Sequence, residues 1–238
     1  MNKLSMLLGR LVRSAAYLWI LVISTSTGTA QAEVDSHQDA YALALGKMVD
    51  IHARLISEME QVRDGRVAHF DYLQNEHIEL LRYASALRFP PAALPQARQA
   101  EMVQQAEGLL SQVSDLEWVI ADFLRSHARA ASGLSNTIDL ATMHAAQIAD
   151  PDKKEALLQV ETGARMLKQR PENDTLQALE LAFSKVDYAA IGEQASAELE
   201  FQRQLILKNA LAPEQFLERV RDADLLMSIQ RLEALLEG

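Results

Sequence analysis

The sequence predicts an all-α fold, an elongated antiparallel helical bundle. Apolar residues recur at alternating spacings of four and three over long stretches, which is typical of helices that bury one face. The six prolines of the 238 residues lie between these apolar stripes, where they break helices. Runs of alternating β-branched residues, which would indicate strands, do not occur.

The first 32 residues have the layout of a secretory signal peptide. Residues 1–13 carry lysine and arginine but no acidic residue, residues 15–23 are apolar, and residues 24–32 are small and polar and end in Ala-Gln-Ala. This order is that of a charged region, a short apolar region and a cleavage signal. The apolar run is about half as long as a membrane span requires, so an uncleaved anchor is the less favoured alternative. We expect residues 33–238 to be the mature periplasmic protein, with no membrane span after cleavage.

Two helices are predicted at the start of the mature part. The first covers about 36–63, and Gly65 follows it as a left-handed cap. Its heptad stripe consists of Tyr41, Leu45, Met48, His52, Leu55, Met59 and Val62. Asp71 is the predicted N-cap of the second helix, which runs to about Arg88. Its stripe consists of Leu73, His77, Leu80, Ala84 and Leu87.

A single long helix is predicted next, over about 96–149, after a proline-rich turn at 90–95. Its stripe keeps one phase from Met102 through Phe123 and His127 to Ile148, and a kink near Ser132-Gly133 is compatible with the pattern. At 1.5 Å per residue such a helix is about 80 Å long. The bundle is therefore expected to be elongated.

The last third of the chain, from residue 150 onward, is predicted to form shorter helices. Asp150 and Pro151 form a strong helix start, and that helix ends before Pro171. Further helices are expected over about 174–186, 187–209 and 212–238, started by Asp174, Asp187 and Ala212-Pro213-Glu214. Short loops favour antiparallel neighbours. The pattern is also compatible with two helical subdomains divided near residue 150.

The composition of the chain excludes or disfavours several classes of function. The net charge of −10, which loss of the signal peptide would make more negative, disfavours nucleic acid and anionic lipid as partners. The chain has no cysteine, so a disulfide scaffold and a thiol nucleophile are excluded. Motifs for a serine nucleophile, a phosphate loop, a zinc protease or a diiron bundle do not occur. We expect no enzymatic activity, no cofactor and no metal centre.

Three histidines stand in apolar stripes of different predicted helices, namely His52, His77 and His127. They could share an inward site for a metal or an anionic ligand. The favoured interpretation is that they are three partly buried rings, each bonded locally. Methionines at stripe positions are interpreted in the same way, as core filling rather than soft-metal ligands.

The end of the first predicted helix carries the run Arg63-Asp64-Gly65-Arg66. Basic groups there offset the helix dipole, which is a sufficient structural reason for them. Two arginines beside a flexible glycine could also clamp a carboxylate or phosphate ligand.

Residues 62–81 (VRDGRVAHFDYLQNEHIELL) resemble the start of the DAHL domain, a double all-helical ligand-binding domain. The family shows an arginine near the end of its first helix, then a glycine, then an aromatic-Asp-x-Leu step. The corresponding residues are Arg63, Gly65, Phe70, Asp71 and Leu73. Residues 122–134 look like a second family patch, with matches at Phe123 and Ala128 and departures at Leu124, His127, Ser132 and Gly133.

The resemblance implies an extracytoplasmic sensory domain of the kind joined through a membrane helix to a histidine kinase or cyclic-nucleotide output module. Here we expect a stand-alone, exported ligand-binding module that signals through a membrane receptor or sensor kinase. The residue pattern and the resemblance together nominate six ligand-binding residues: His52, Arg63, Arg66, Asp71, His127 and Ser132. The departures leave open whether the small-molecule ligand is altered or lost. The alternative is a periplasmic structural or adaptor protein that binds a partner through its heptad helices.

Overall fold

The computed structural model describes the backbone of residues 27–66 and 70–238 and the side chains of residues 36–66 and 70–238. The structure is 86% helical, and the described residues form no strand, so the all-α prediction is confirmed. The predicted signal peptide lies mostly in residues 1–26, outside the described residues. Among the helices that are described, none combines the length and apolarity needed to cross a membrane.

The described chain forms nine helices in sequence. They are α1 Thr27–Arg63, α2 Asp71–Ala86, α3 Gln96–Gln147, α4 Pro151–Gln169, α5 Asn173–Ser184, α6 Tyr188–Ile191, α7 Glu193–Asn209, α8 Ala212–Arg221 and α9 Leu225–Glu237. With 52 residues, α3 is about 78 Å long at the standard rise and is the spine of the molecule.

A first hydrophobic core lies between α1, α2, the first half of α3, and the C-terminal helices α8 and α9. The predicted stripes face into it: Leu45, Met48, Leu55, Met59, Met102 and Leu109 are fully buried. The antiparallel pairing of α1 and α2 is visible at both ends, since Tyr41 donates to the carbonyl of Leu87 at 3.0 Å and Arg54 pairs with Glu76. The buried methionines confirm the prediction of core filling.

A second core lies between the later half of α3 and helices α4, α5 and α7. Along α3, Phe123 is the last large residue of the first core and Leu134 is the first of the second. We call the level between these two residues the waist. The division into two subdomains near residue 150 stays a prediction. The two cores themselves separate at the waist, and the C-terminal helices α8 and α9 pack in the first core.

The long helix and the start of the next one agree with the sequence. α3 is continuous through Ser132 and Gly133, and it ends two residues before the predicted position. Asp150 caps α4, because its Oδ1 accepts hydrogen bonds from the backbone N–H groups of Asp152 at 3.0 Å and Lys153 at 3.4 Å.

The first helix begins at Thr27 rather than near residue 36, and three predictions for the last third of the chain are also wrong. The N-cap of α5 is Glu172 rather than Asp174, since Glu172 N–H donates to Thr175 Oγ1 at 3.2 Å. The helix predicted over 187–209 is two helices, because Gly192 has a φ of 84°, which no helix continues through. The last predicted helix is also two, because α8 ends at Arg221 and Asp224 starts α9.

Candidate functional site

A cavity of about 420 Å³ opens at the waist, where the two cores meet. Its volume lies within the range of about 300–1,000 Å³ that small-molecule sites occupy. Residues from four parts of the chain line it: Arg63, Asp64, Gly65, His127, Ala130, Ala131, Leu134, Leu167, Lys168, Gln169, Pro171, Ala210 and Pro213.

Helix ends make the mouth of this waist cavity. α1 ends at Arg63 and turns away at Gly65, whose φ of 67° is the left-handed conformation that glycine adopts without strain. α4 ends at Gln169, two residues before Pro171, and the junction of α7 with α8 contributes Pro213. Polar groups therefore reach the rim from the helix ends, while the middle of α3 supplies the opposite wall.

That wall is apolar and built partly of small side chains. Ala130 and Leu134 are buried, and Ala131 between them is half-buried. Alanine fills little volume at the level of the cavity, whereas Phe123, two turns earlier on α3, is a large and fully buried side chain of the first core. The gap between the cores at the waist follows from this change in side-chain size.

His127 forms one end of the apolar wall. Its ring stacks on Phe123 with centroids 6.4 Å apart and meets the edge of Phe70 at 6.1 Å. Burial lowers the pKa of His127, so the ring is neutral at physiological pH. A neutral imidazole can offer one donor and one acceptor to a ligand without adding charge.

Arg63 is held by carboxylates on both sides. Its Nε donates to Asp64 Oδ1 at 2.9 Å, and its Nη1 donates to Glu214 Oε2 at 2.5 Å. Burial lowers its pKa, but the hydrogen bonds to Asp64 and Glu214 outweigh that effect and leave the pKa raised. Arg66 binds the other oxygen of Asp64, and Arg221 lies 3.5 Å from Glu214. The network ties the end of α1 to α8 and largely neutralises Arg63.

A second, more open cavity of about 710 Å³ adjoins the first and shares Arg63, Asp64, Gln169 and Pro171 with it. Arg66 also lines this outer cavity. The structure thus brings three predicted residues, Arg63, Arg66 and His127, to one region, with Arg63 and His127 in the same cavity.

Lys168 was missed by the sequence analysis. It stands in the last turn of α4 and lines the waist cavity, and its Nζ donates to Ser135 Oγ at 3.0 Å. In the part of the chain that the structure describes, Lys168 forms no ion pair. A basic residue in a last helical turn is a common feature, and only the placement of α4 against α3 makes this one a site residue.

Two of the stripe histidines have local partners. His52 Nε2 lies 2.9 Å from the carbonyl oxygen of Val220, and His77 Nε2 lies 2.9 Å from that of Val113. Burial lowers the pKa of His52 against the opposing effect of that hydrogen bond. The favoured interpretation of local bonding is confirmed for these two rings. Within residues 36–66 and 70–238, acidic and histidine side chains form no group of three that could hold a metal.

The remaining nominated residues lie apart from the cavities. Asp71 and Ser132 are exposed, and neither lines either cavity; His52 is buried in the first core. Their ligand-binding roles stay predictions. Gly133, one of the departures from the family pattern, has a packing role, because a Cβ there would lie 3.1 Å from Ile206 Cγ1.

No family model, curated protein or solved structure matches the chain. The resemblance to the DAHL family therefore stays a prediction that rests on the two short patches.

Proposed function

We propose that the protein is a ligand-binding module that holds a small organic molecule in the waist cavity. The observation that carries the proposal is the cavity itself, which lies at the level where the two hydrophobic cores meet. It combines an apolar wall with a few polar groups at the rim, the usual composition of small-molecule sites.

The packing around the cavity supports a binding role. Helical cores fill their interiors to crystal-like density, and unfilled apolar space loses dispersion contacts. The small side chains of Ala130 and Ala131 leave space in the cavity, whereas larger side chains elsewhere on α3, such as Phe123 and Leu134, are buried. A ligand with an apolar part would restore the missing contacts.

The polar groups favour binding over catalysis. None of the residues that line the waist cavity is a serine, threonine or cysteine, the side chains that most often attack a substrate after activation by a neighbouring base. His127 packs against Phe123 and Phe70, and no carboxylate orients its ring among the described contacts. An imidazole in that setting suits recognition better than proton transfer.

We further propose that the module acts in the periplasm as a sensor and signals through a partner, a membrane receptor or a sensor kinase. The signal-like layout of residues 1–32 and the DAHL-like patches at 62–81 and 122–134 support this part. Arg63 and Arg66, the predicted clamp, lie at the two adjoining cavities, so this helix end forms part of the proposed site.

The alternative of an adaptor protein depends on heptad stripes that are free to bind a partner helix. The heptad residues of α1 and of the first half of α3 are buried in the protein's own first core, so those stripes are not open to a partner helix. Large exposed side chains do occur, with Phe89 78% and Trp118 71% exposed. Single exposed apolar residues are normal on a protein surface and do not define an interface.

A thermal-shift screen of the purified protein against small metabolites tests the proposal. A ligand at 100 times its dissociation constant adds about 2.7 kcal/mol of stability. Ala131→Phe, which places a ring in the cavity, should abolish the shift. Ala128→Phe is the matched control, because Ala128 is exposed on the same helix and lines neither cavity. Equal shifts in both variants, or no ligand across a broad library, would contradict the proposal.

A further inference from the structure

The charged groups at the mouth of the two cavities are nearly balanced. Four are basic, namely Arg63, Arg66, Lys168 and Arg170, and three are acidic, namely Asp64, Glu172 and Glu214. This small positive excess stands out on a chain whose net charge is −10. The mouth can therefore accept an anion, but only a weakly charged one.

Three of the four basic groups are already engaged. Arg63 and Arg66 share Asp64, and Arg170 lies 3.3 Å from Glu172. An incoming anion would have to compete with these carboxylates for each guanidinium. The arginines at the mouth are thus better suited to holding the helix ends together than to taking up a charge from solution.

Lys168 differs from all three. Its described hydrogen bond is to a neutral hydroxyl, Ser135 Oγ, at 3.0 Å, and its side chain is exposed at the cavity rim. Exchange of that neutral hydrogen bond for a charge-assisted one to a carboxylate is favourable. The flexible lysine stem lets the ammonium group follow a ligand without movement of α4.

On the basis of the proposed function, we propose that Lys168 is the anion-binding residue of the waist cavity and that its ligands are monocarboxylates with an apolar body. The carboxylate binds the ammonium group at the rim, and the apolar body lies against Ala131, Leu134 and the ring of His127. Because Arg63, Arg66 and Arg170 are already paired with carboxylates, Lys168 can match one negative charge of a ligand, which favours ligands with a single carboxylate.

Hexanoate, hexanol and hexylamine are matched probes for this inference, because they share one apolar chain and differ in charge. Isothermal titration of the purified protein should show hexanoate binding at least about tenfold more tightly than hexanol, and hexylamine should bind most weakly. Lys168→Gln should weaken hexanoate binding about tenfold and leave hexanol binding unchanged. Lys154→Gln is the control, since Lys154 is exposed on the same helix and lines neither cavity.

The outcomes separate this inference from the proposed function. Equal affinity for hexanoate and hexanol, or equal loss in the two lysine variants, overturns the role of Lys168. The role of Lys168 is also overturned if hexanoate fails to bind while the metabolite screen yields an amine or a neutral ligand that Ala131→Phe excludes. In that case the proposed function still stands. If neither hexanoate nor any metabolite binds, both proposals fail.

Discussion

Replacement of Gly163 by alanine tests the packing of the second core quantitatively. Gly163 lies inside α4, and a Cβ there would stand 3.2 Å from the backbone Cα of Leu179 and 3.2 Å from its Cδ1. Contact with backbone cannot be relieved by a rotamer change, so α4 and α5 would have to move apart. Overpacking of this kind costs about 1–3 kcal/mol, while alanine in place of glycine inside a helix gains about 1 kcal/mol. We expect Gly163→Ala to lower the free energy of unfolding by up to about 2 kcal/mol.

Gly108 supplies the matched control. It lies inside α3, it is exposed, and a Cβ there would have no heavy atom within 4 Å. Gly108→Ala should therefore raise the free energy of unfolding by about 1 kcal/mol through helix propensity alone. Urea denaturation followed by far-UV circular dichroism measures both variants. If Gly163→Ala stabilises the protein as much as Gly108→Ala does, the close approach of α4 and α5 is refuted.

Two further predictions concern pH and helix capping. Burial lowers the pKa of His52 and His127 in the folded protein, so below pH about 6.5 the unfolded chain takes up protons that the folded protein refuses. The free energy of unfolding, measured by urea titrations, should therefore fall between pH 7 and about pH 5. His127→Gln should reduce the slope of this free energy against pH, and an unchanged slope would contradict burial of this ring. Asp150→Ala removes the hydrogen bonds to the first turn of α4 and should cost about 1 kcal/mol, whereas Asp150→Asn, which keeps an acceptor, should cost less.

Much of the fold could be predicted because local signals and burial agree. The stripe from Met102 to Ile148 specified one helix, and α3 is one helix. The Asp150-Pro151 start specified the next, with the predicted cap. Local rules failed at the start of α5. The N-cap preference for aspartate pointed to Asp174, but the helix begins two residues earlier, where the backbone N–H of Glu172 donates to the hydroxyl of Thr175.

The site was harder to predict because it depends on the relative heights of helices. Periodicity gives the face on which a residue lies but not its level along a neighbouring helix. His52, His77 and His127 therefore looked equivalent in sequence, yet only His127 lines the waist cavity. Lys168 reaches the same cavity only because α4 folds back along α3, and no motif marks that contact.

The account in which the waist cavity binds a monocarboxylate at Lys168 is tested most directly by a crystal structure of the protein grown with hexanoate. We predict electron density for one hexanoate in the cavity, with its carboxylate at Lys168 and its chain against Ala131 and His127. Hexanoate bound only elsewhere on the surface, in a crystal whose cavity stays without it, would contradict the account.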